Sequence, residues 1–220
     1  MGKAIAALAE ERGHTVHALI GKVENNGGKA LTAGRLEGVD VALEFTSPAA
    51  AAANVRRLVE AGIPTVCGTT GWDVADVTEL VTARRGSFLH AANFCLGVQL
   101  FLRAARELGR QLGGQEDFSA SISEEHHAAK RDAPSGTALL LQKRLREVDP
   151  GRDFPITSVR AGSTPGTHTI AYDSPYERIG LIHVARSRDG FAAGALAAAE
   201  WLPGRTGVFG LEDMLFGSTG

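Results

Sequence analysis

Cysteine is scarce in this 220-residue chain: Cys67 and Cys95 are the only two, and they stand in no metal-ligand spacing. That removes a thiolate metal site and suits a reducing cytoplasm. A basic surplus is missing as well. The 23 Lys and Arg are set against 25 Asp and Glu, giving a net charge of -2 and a pI near 6.4, and the cations are dispersed, so nucleic acid is not an expected partner. No apolar run is long enough to cross a membrane and no signal-peptide pattern is seen, so no membrane association is expected. There is no internal repeat. What the chain does have is 44% hydrophobic residues, enough for one large or two small globular domains.

The densest chemistry lies in Glu124-Glu125-His126-His127-Ala128-Ala129-Lys130-Arg131-Asp132-Ala133-Pro134-Ser135-Gly136-Thr137-Ala138. Asp132 and Ser135 are helix-capping types, Pro134 suits a first turn, and Ala138, Leu141, Leu145 and Val148 recur at helical spacing; a helix is predicted to open near Ser135. Its first amides, including those of Gly136 and Thr137, have no intrahelical acceptor and lie at the positive end of the dipole, so a carboxylate or phosphate can bind there. Gly136 lets an anion approach the backbone, the hydroxyls of Ser135 and Thr137 add donors, and Lys130 adds a full charge. Ser119 to Glu125 alternates apolar and polar residues like a strand, which puts His126 and His127 at a strand end. Successive strand side chains point to opposite faces and no Cys or His companions stand at ligand spacing, so no metal is expected. Singly, Ser-Gly-Thr is an ordinary cap and Lys130 with Arg131 a solvated pair. Together they read as an anion-binding catalytic loop.

Strands and helices alternate through the first hundred residues, which predicts a parallel sheet. Strands are expected at Val16 to Ile20, Val41 to Phe45, Pro64 to Cys67 and Phe88 to Ala91, with helices at Lys3 to Arg12, Ala49 to Ala61 and Val74 to Arg85. Ser47 and Pro48 mark the start of the second helix. A helix from Val98 to Leu112 carries the stripe Phe101, Ala105, Leu108, Leu112. Strands then predominate, at Ala120 to Glu125, Ile156 to Ala161, His168 to Tyr172 and Ile179 to Ala185. The fold class is therefore α/β: a Rossmann-like parallel-sheet domain over 1–93 and 191–220, and a second α+β domain with a mixed, open sheet over 94–190. The segment from Phe191 through Trp201 to Leu215 is expected to be helical and to pack on the first domain.

The loop resembles the signature of the dihydrodipicolinate reductase (4-hydroxy-tetrahydrodipicolinate reductase) family, Glu-x-His-His-x-x-Lys-x-Asp-x-Pro-Ser-Gly-Thr-Ala, at every fixed position from Glu124 onward. Further family-like stretches follow in the family's order: Glu44-Phe45-Thr46-Ser47-Pro48, Gly68-Thr69-Thr70-Gly71, Ala92-Asn93-Phe94 and Phe191-Ala192-Ala193-Gly194-Ala195. The resemblance covers essentially the whole chain. It implies reduction of a cyclic, unsaturated imine bearing two carboxylates, on the lysine and diaminopimelate pathway, by hydride transfer from NADPH or NADH. His126 is implied as the general acid, Lys130 as a holder of substrate charge that supports proton delivery, and His127, Ser135, Gly136 and Thr137 as carboxylate binders. His168, two residues past Gly166, lies in another family-like stretch and is a further candidate for substrate contact. His14, His17, His90 and His183 are assigned to structure.

For the cofactor, the resemblance places Gly68, Thr69 and Thr70 beside the nicotinamide and ribose, and Ala92, Asn93 and Phe94 along its path. A dinucleotide fold also needs a strand and a glycine-rich turn before its first helix. Met1-Gly2-Lys3 aligns only with the tail of the family's turn, so Gly2 is the glycine left at this helix start. The expectation is a physiological start further upstream, with a destabilised or rearranged sheet edge in the chain as written. After Ile20, where an acid would grip a ribose hydroxyl, stand Gly21 and Lys22, with Glu24 beyond; Lys22 suits a 2′-phosphate, which favours NADPH without excluding NADH. The short span from Asp149 to Val159 resembles the family's short-loop subclass, and the family implies a homotetramer built on the second-domain sheet. Two alternatives stay open: a non-catalytic dicarboxylate-binding remnant, and another two-domain NAD(P)-dependent oxidoreductase of a small carboxylic acid.

Overall fold

The computed structural model describes residues 1–21, 23–25, 28–187 and 189–217. The chain divides into two compact units, Met1–Cys95 with Asp189–Gly220, and Leu96–Arg188.

The first unit holds a four-stranded parallel sheet in the order β1-β2-β3-β8, formed by β1 (Ala42–Glu44), β2 (Thr65–Cys67), β3 (Ser87–His90) and β8 (Gly207–Phe209). Every residue of β2 is buried, as expected of a central strand covered on both faces. Helices α3 (Pro48–Glu60) and α4 (Ala75–Ala83) supply Val55, Val59, Val77 and Val81, which pack with Cys67 and Phe88 into one cluster roofed by Trp72. Burying a side chain such as Phe88 completely contributes roughly 2 to 3 kcal/mol. Helix α7 (Asp189–Trp201) lies against β1 and β2, and α1 (Gly2–Glu11) packs on α7. The buried face of α7 is Ala192, Gly194, Ala195, Leu196, Ala198 and Ala199, all but Leu196 small enough to let its backbone approach the strands. Short helices α2 (Ala33–Leu36) and α8 (Leu211–Phe216) complete the unit.

Two segments differ from the sequence expectation. Val16 to Ile20 is not a strand but largely exposed chain, with Leu19 56% exposed. A strand exists only through its ladder, and among the described residues no neighbour offers this segment one. The chain after Trp201 is not continuously helical. It turns, pairs as β8 beside β3, and only then forms α8.

The second unit is a mixed sheet in the order β5-β4-β6-β7, with β5 (Ile156–Arg160) parallel to β4 (Ser119–His126), and β6 (Gly166–Asp173) and β7 (Arg178–Ala185) antiparallel to their neighbours. Along β4 burial alternates strictly, with Ala120, Ile122, Glu124 and His126 inward and the serines and Glu125 outward. The inner face packs on α5 (Leu96–Leu112) and α6 (Gly136–Val148) through Ile122, Ile170, Tyr172, Leu141 and Leu145. Gly109 makes that packing possible, since a Cβ there would lie 2.9 Å from Leu145 Cδ2 and 3.0 Å from the Tyr172 hydroxyl. Arg152 ties the loops beneath, donating to Asp149 Oδ2 at 2.6 Å and to the Leu112 carbonyl at 2.9 Å. No helix among the described residues is long and apolar enough to cross a membrane.

Candidate active site

The period of two along β4 places Glu124 and His126 side by side on the buried face, and pairing of β4 with β5 and β6 brings Arg160 and His168 to them. Glu124 is buried, with its side chain 0% exposed. It accepts hydrogen bonds from Arg160 Nη2 at 2.7 Å and from the Ser135 amide at 3.3 Å, and its Oε2 is bonded to His126 Nδ1. Burial alone would raise its pKa, but the hydrogen bond from Arg160 and the neighbouring charges outweigh burial and hold it at about 2. An ionised carboxylate only accepts, so Nδ1 of His126 carries a proton and Nε2 is the atom free to exchange one. Gly166 keeps Nε2 clear, because a Cβ there would sit 2.9 Å from it. Burial lowers the His126 pKa; Glu124 opposes that, while Lys130 and Arg160 add to it.

Helix α6 opens as predicted near Ser135, whose hydroxyl accepts the Ala138 amide at 3.2 Å. Pro134 stands before the cap and not within the first turn. The Ser135 hydroxyl is also bonded to His168 Nε2 at 3.0 Å and is buried, so it fixes the helix start as well as standing among the residues expected to meet the substrate. Gly136 is exposed, and a Cβ added there would meet nothing within 4 Å. Thr137 is half-buried; the helix N-terminus is open on the Gly136 side. Lys130 Nζ lies 2.7 and 2.8 Å from the two oxygens of Asp132. His127, the residue after β4 ends, is half-buried and its amide donates to the Thr164 carbonyl.

Neither Glu124 nor Arg160 has a role that the sequence alone assigns. The signal for Glu124 was present, since two residues separate it from His126 on a strand. Arg160 had none, because its approach depends on β4–β5 register. Glu124, His126 and His168 present ligand-type atoms within 4.8 Å of one another, but the carboxylate is already engaged by a guanidinium and an imidazole N–H, and the set reads as a proton-handling group.

His168 carries a pH-dependent stability. Burial, then the charge of His126, lowers its pKa from 6.5 to about 4. The folded state therefore binds this proton less readily than the unfolded chain, so the contribution is present above about pH 6.5 and is lost as pH falls towards 4. With His168 only 4% exposed, the loss amounts to about 3 kcal/mol. Denaturant midpoints followed from neutral pH to about pH 4 should fall less steeply in His168→Gln, and an equal slope would place the titration elsewhere.

In the first unit a cleft of about 390 Å³ is lined by Met1, Phe45, Thr46, Pro48, Gly68, Thr69 and Thr70. It lies at the carboxyl ends of β1 and β2, where open α/β sheets bind ligands. Met1 caps α1, so Gly2 begins that helix at the cleft edge. Gly68 has a more immediate reason for lacking a side chain than cofactor approach, since a Cβ would fall 2.0 Å from Phe45 Cε1. Thr69 lines the cleft, and its hydroxyl donates to buried Glu44 at 2.6 Å and accepts the Thr46 amide at 2.9 Å. Thr70 is exposed. Ala92 is exposed, Asn93 Oδ1 accepts the Cys95 amide, and the Phe94 ring is buried 5.5 Å from that of Phe45. Lys22 lies outside the described residues, and Glu24 is paired with Arg35. Of the histidines assigned to structure, His14 bonds Glu200 at 2.9 Å, His17 is exposed, His90 lies 3.2 Å from the Thr69 carbonyl, and His183 packs on Phe101.

Comparison with known proteins converges on one family. Residues 1–94 match the family model described as dihydrodipicolinate reductase, N-terminus, and residues 97–215 that described as dihydrodipicolinate reductase, C-terminus. The chain is 36% identical over 229 aligned residues to the 4-hydroxy-tetrahydrodipicolinate reductase of Christiangramia forsetii, covering 98% of this chain and 93% of that one. It is 38% identical over 197 residues to the same enzyme of Nitratidesulfovibrio vulgaris, covering 80% and 75%. Among solved structures, dipicolinate-bound dihydrodipicolinate reductase from Paenisporosarcina sp. TG-14 has the same fold, with a TM-score of 0.70 at 24% identity over 80% of this chain and 73% of that one.

Proposed function

The chain belongs to the dihydrodipicolinate reductase family, and from that premise we propose that it reduces 4-hydroxy-tetrahydrodipicolinate, by way of dihydrodipicolinate, to tetrahydrodipicolinate in lysine and diaminopimelate biosynthesis. The observation that carries the assignment is a histidine held by a carboxylate at the end of β4, beside the open start of α6. A ring bearing two carboxylates needs cationic and amide donors on one side and a proton source on the other. Lys130, His127, the amides of Gly136 and Thr137 and the Thr137 hydroxyl serve the first need, with Ser135 holding the helix start. His126 serves the second, giving up the proton on Nε2 while Glu124 retains that on Nδ1. A bound dianion adds negative charge beside His126 and raises its pKa against the lowering effect of Lys130 and Arg160.

The dinucleotide is assigned to residues 1–93 and 191–220, and substrate binding to residues 94–190. The cleft at Thr46 and Thr70 and the N-terminus of α1 fit a dinucleotide, with Gly2, Gly68, Thr69, Thr70, Ala92, Asn93 and Phe94 shaping the path and Lys22 assigned to the ribose end. When bound, NADPH or NADH supplies the hydride. The outward face of the second-unit sheet exposes Val159, Ile182 and Val184, apolar residues that support a homotetramer assembled on that face. We assign the site of action to the cytoplasm, where the buried thiols of Cys67 and Cys95 stay reduced.

The test is oxidation of NADPH and NADH with freshly generated substrate, run beside thermal-shift titrations with each nucleotide and with pyridine-2,6-dicarboxylate. Turnover with shifts from both ligand classes is the expected result. A shift from the dicarboxylate alone, without turnover, would favour a dicarboxylate-binding protein.

A further inference from the structure

We infer that Glu124 is the positioning residue of this site: its carboxylate fixes the orientation and tautomer of His126 and ties that histidine to the start of α6. The inference rests on the proposed role of His126 as the proton donor. Three segments of the chain meet on this one carboxylate. His126 bonds it from the same strand through Nδ1, Arg160 reaches it from β5 at 2.7 Å, and the amide of Ser135 reaches it from the loop before α6 at 3.3 Å. Arg160 Nη2 also donates to the Asp132 carbonyl at 2.6 Å. The loop that leads into the anion-binding amides and the imidazole that moves the proton therefore share one anchor. A displacement of Glu124 would disturb both.

An ion pair kept only for stability would need no histidine on it. Here Glu124 divides its oxygens, Oε1 to Arg160 and the Ser135 amide, Oε2 to Nδ1. The second oxygen leaves Nε2 as the exchanging atom, on the side that Gly166 keeps open. The charged and titratable groups facing His126 are Glu124 on its own strand, Arg160 on β5, His168 on β6 with its ring centroid 5.1 Å away, and Lys130 from the loop. Glu124 is the only anion among them, so its removal both frees the ring and strips away the charge that favours the imidazolium.

The experiment compares wild type with Glu124→Gln and with the double variant Glu124→Gln/Arg160→Gln, which removes both buried charges together and guards against misfolding from an unpaired guanidinium. Nitrogen-15 spectra of the histidine rings read the tautomer without reference to activity. The wild type should show neutral His126 protonated at Nδ1, and both variants should shift it towards Nε2. In the assay, kcat should fall about 10- to 100-fold, the scale on which partners that orient a functional histidine act, with a smaller change in KM. The decline of kcat with rising pH should set in at lower pH than in the wild type. An unchanged tautomer together with an unchanged pH profile overturns the inference. His126→Gln run alongside separates the two levels: if it is inactive while Glu124→Gln matches wild type, only the positioning role falls, and if it is fully active, the proton-donor assignment falls first.

Discussion

Replacing His126 by glutamine is expected to lower kcat by about 10²- to 10⁴-fold, the usual contribution of a positioned acid, while KM moves little. Glutamine keeps a polar group near Glu124 and fills most of the ring's volume, so the change removes the titrating proton and little else. The pH profile carries a second signature. A donor must be protonated to act, so wild-type kcat should decline as pH rises through the pKa of His126 in the complex. Burial lowers that pKa in the free protein and Glu124 opposes the lowering. In the variant the residual rate should be flat over the same range, because no group then titrates between donor and ring. Steady-state assays across pH check both statements. A variant with wild-type turnover would remove His126 from the chemistry, and a residual rate that kept the wild-type slope would assign the titration to another group.

How much of this could be read in the sequence depends on how local each feature is. The alternation along Ser119–His126 and the helical spacing from Ala138 onward are local, and both elements form where their patterns place them. So does the capping role of Ser135, although its burial against His168 is set by β6, more than thirty residues away. Val16 to Ile20 has the composition of a strand and lies as open chain, because composition cannot supply a neighbour. Gly207–Phe209 has the opposite character: three residues beginning with glycine carry no periodicity, and only the edge of β3 makes them a strand. Arg160 belongs to the same class, an ordinary strand-end arginine until register sets it on Glu124. Thr69 shows how a residue type alone leaves the hydroxyl's partner open. A hydroxyl at a strand's carboxyl end suggests a ligand contact, yet the buried carboxylate of Glu44 has no cation bonded to it among the described residues and takes that hydroxyl for itself.

Lys130→Ala should weaken binding of pyridine-2,6-dicarboxylate by about 2 to 4 kcal/mol, or roughly 30- to 1000-fold in Kd, the range for losing a partly buried charged partner. The Lys130 side chain is 23% exposed, whereas that of Asp132, which it bonds, is 59% exposed. A pair so open to water contributes little to folding, so the variant's denaturation midpoint should stay near wild type, and a loss of affinity is then a property of the site and not of the fold. Lys130 also holds the Asp132 carboxyl below its ordinary pKa, mainly through the hydrogen bond between them. In the unliganded protein the ammonium is thus neutralised by an internal anion that a substrate carboxylate must displace. Asp132→Asn removes that competitor and should tighten the dicarboxylate, while Lys130→Ala in the same background should still weaken it. Calorimetric titration of the two single variants and the double variant closes the cycle. An unmoved Kd in Lys130→Ala would leave the anion to His127, the Thr137 hydroxyl and the amides of α6, and an unmoved Kd in Asp132→Asn would mean that the ammonium meets the ligand without leaving its partner.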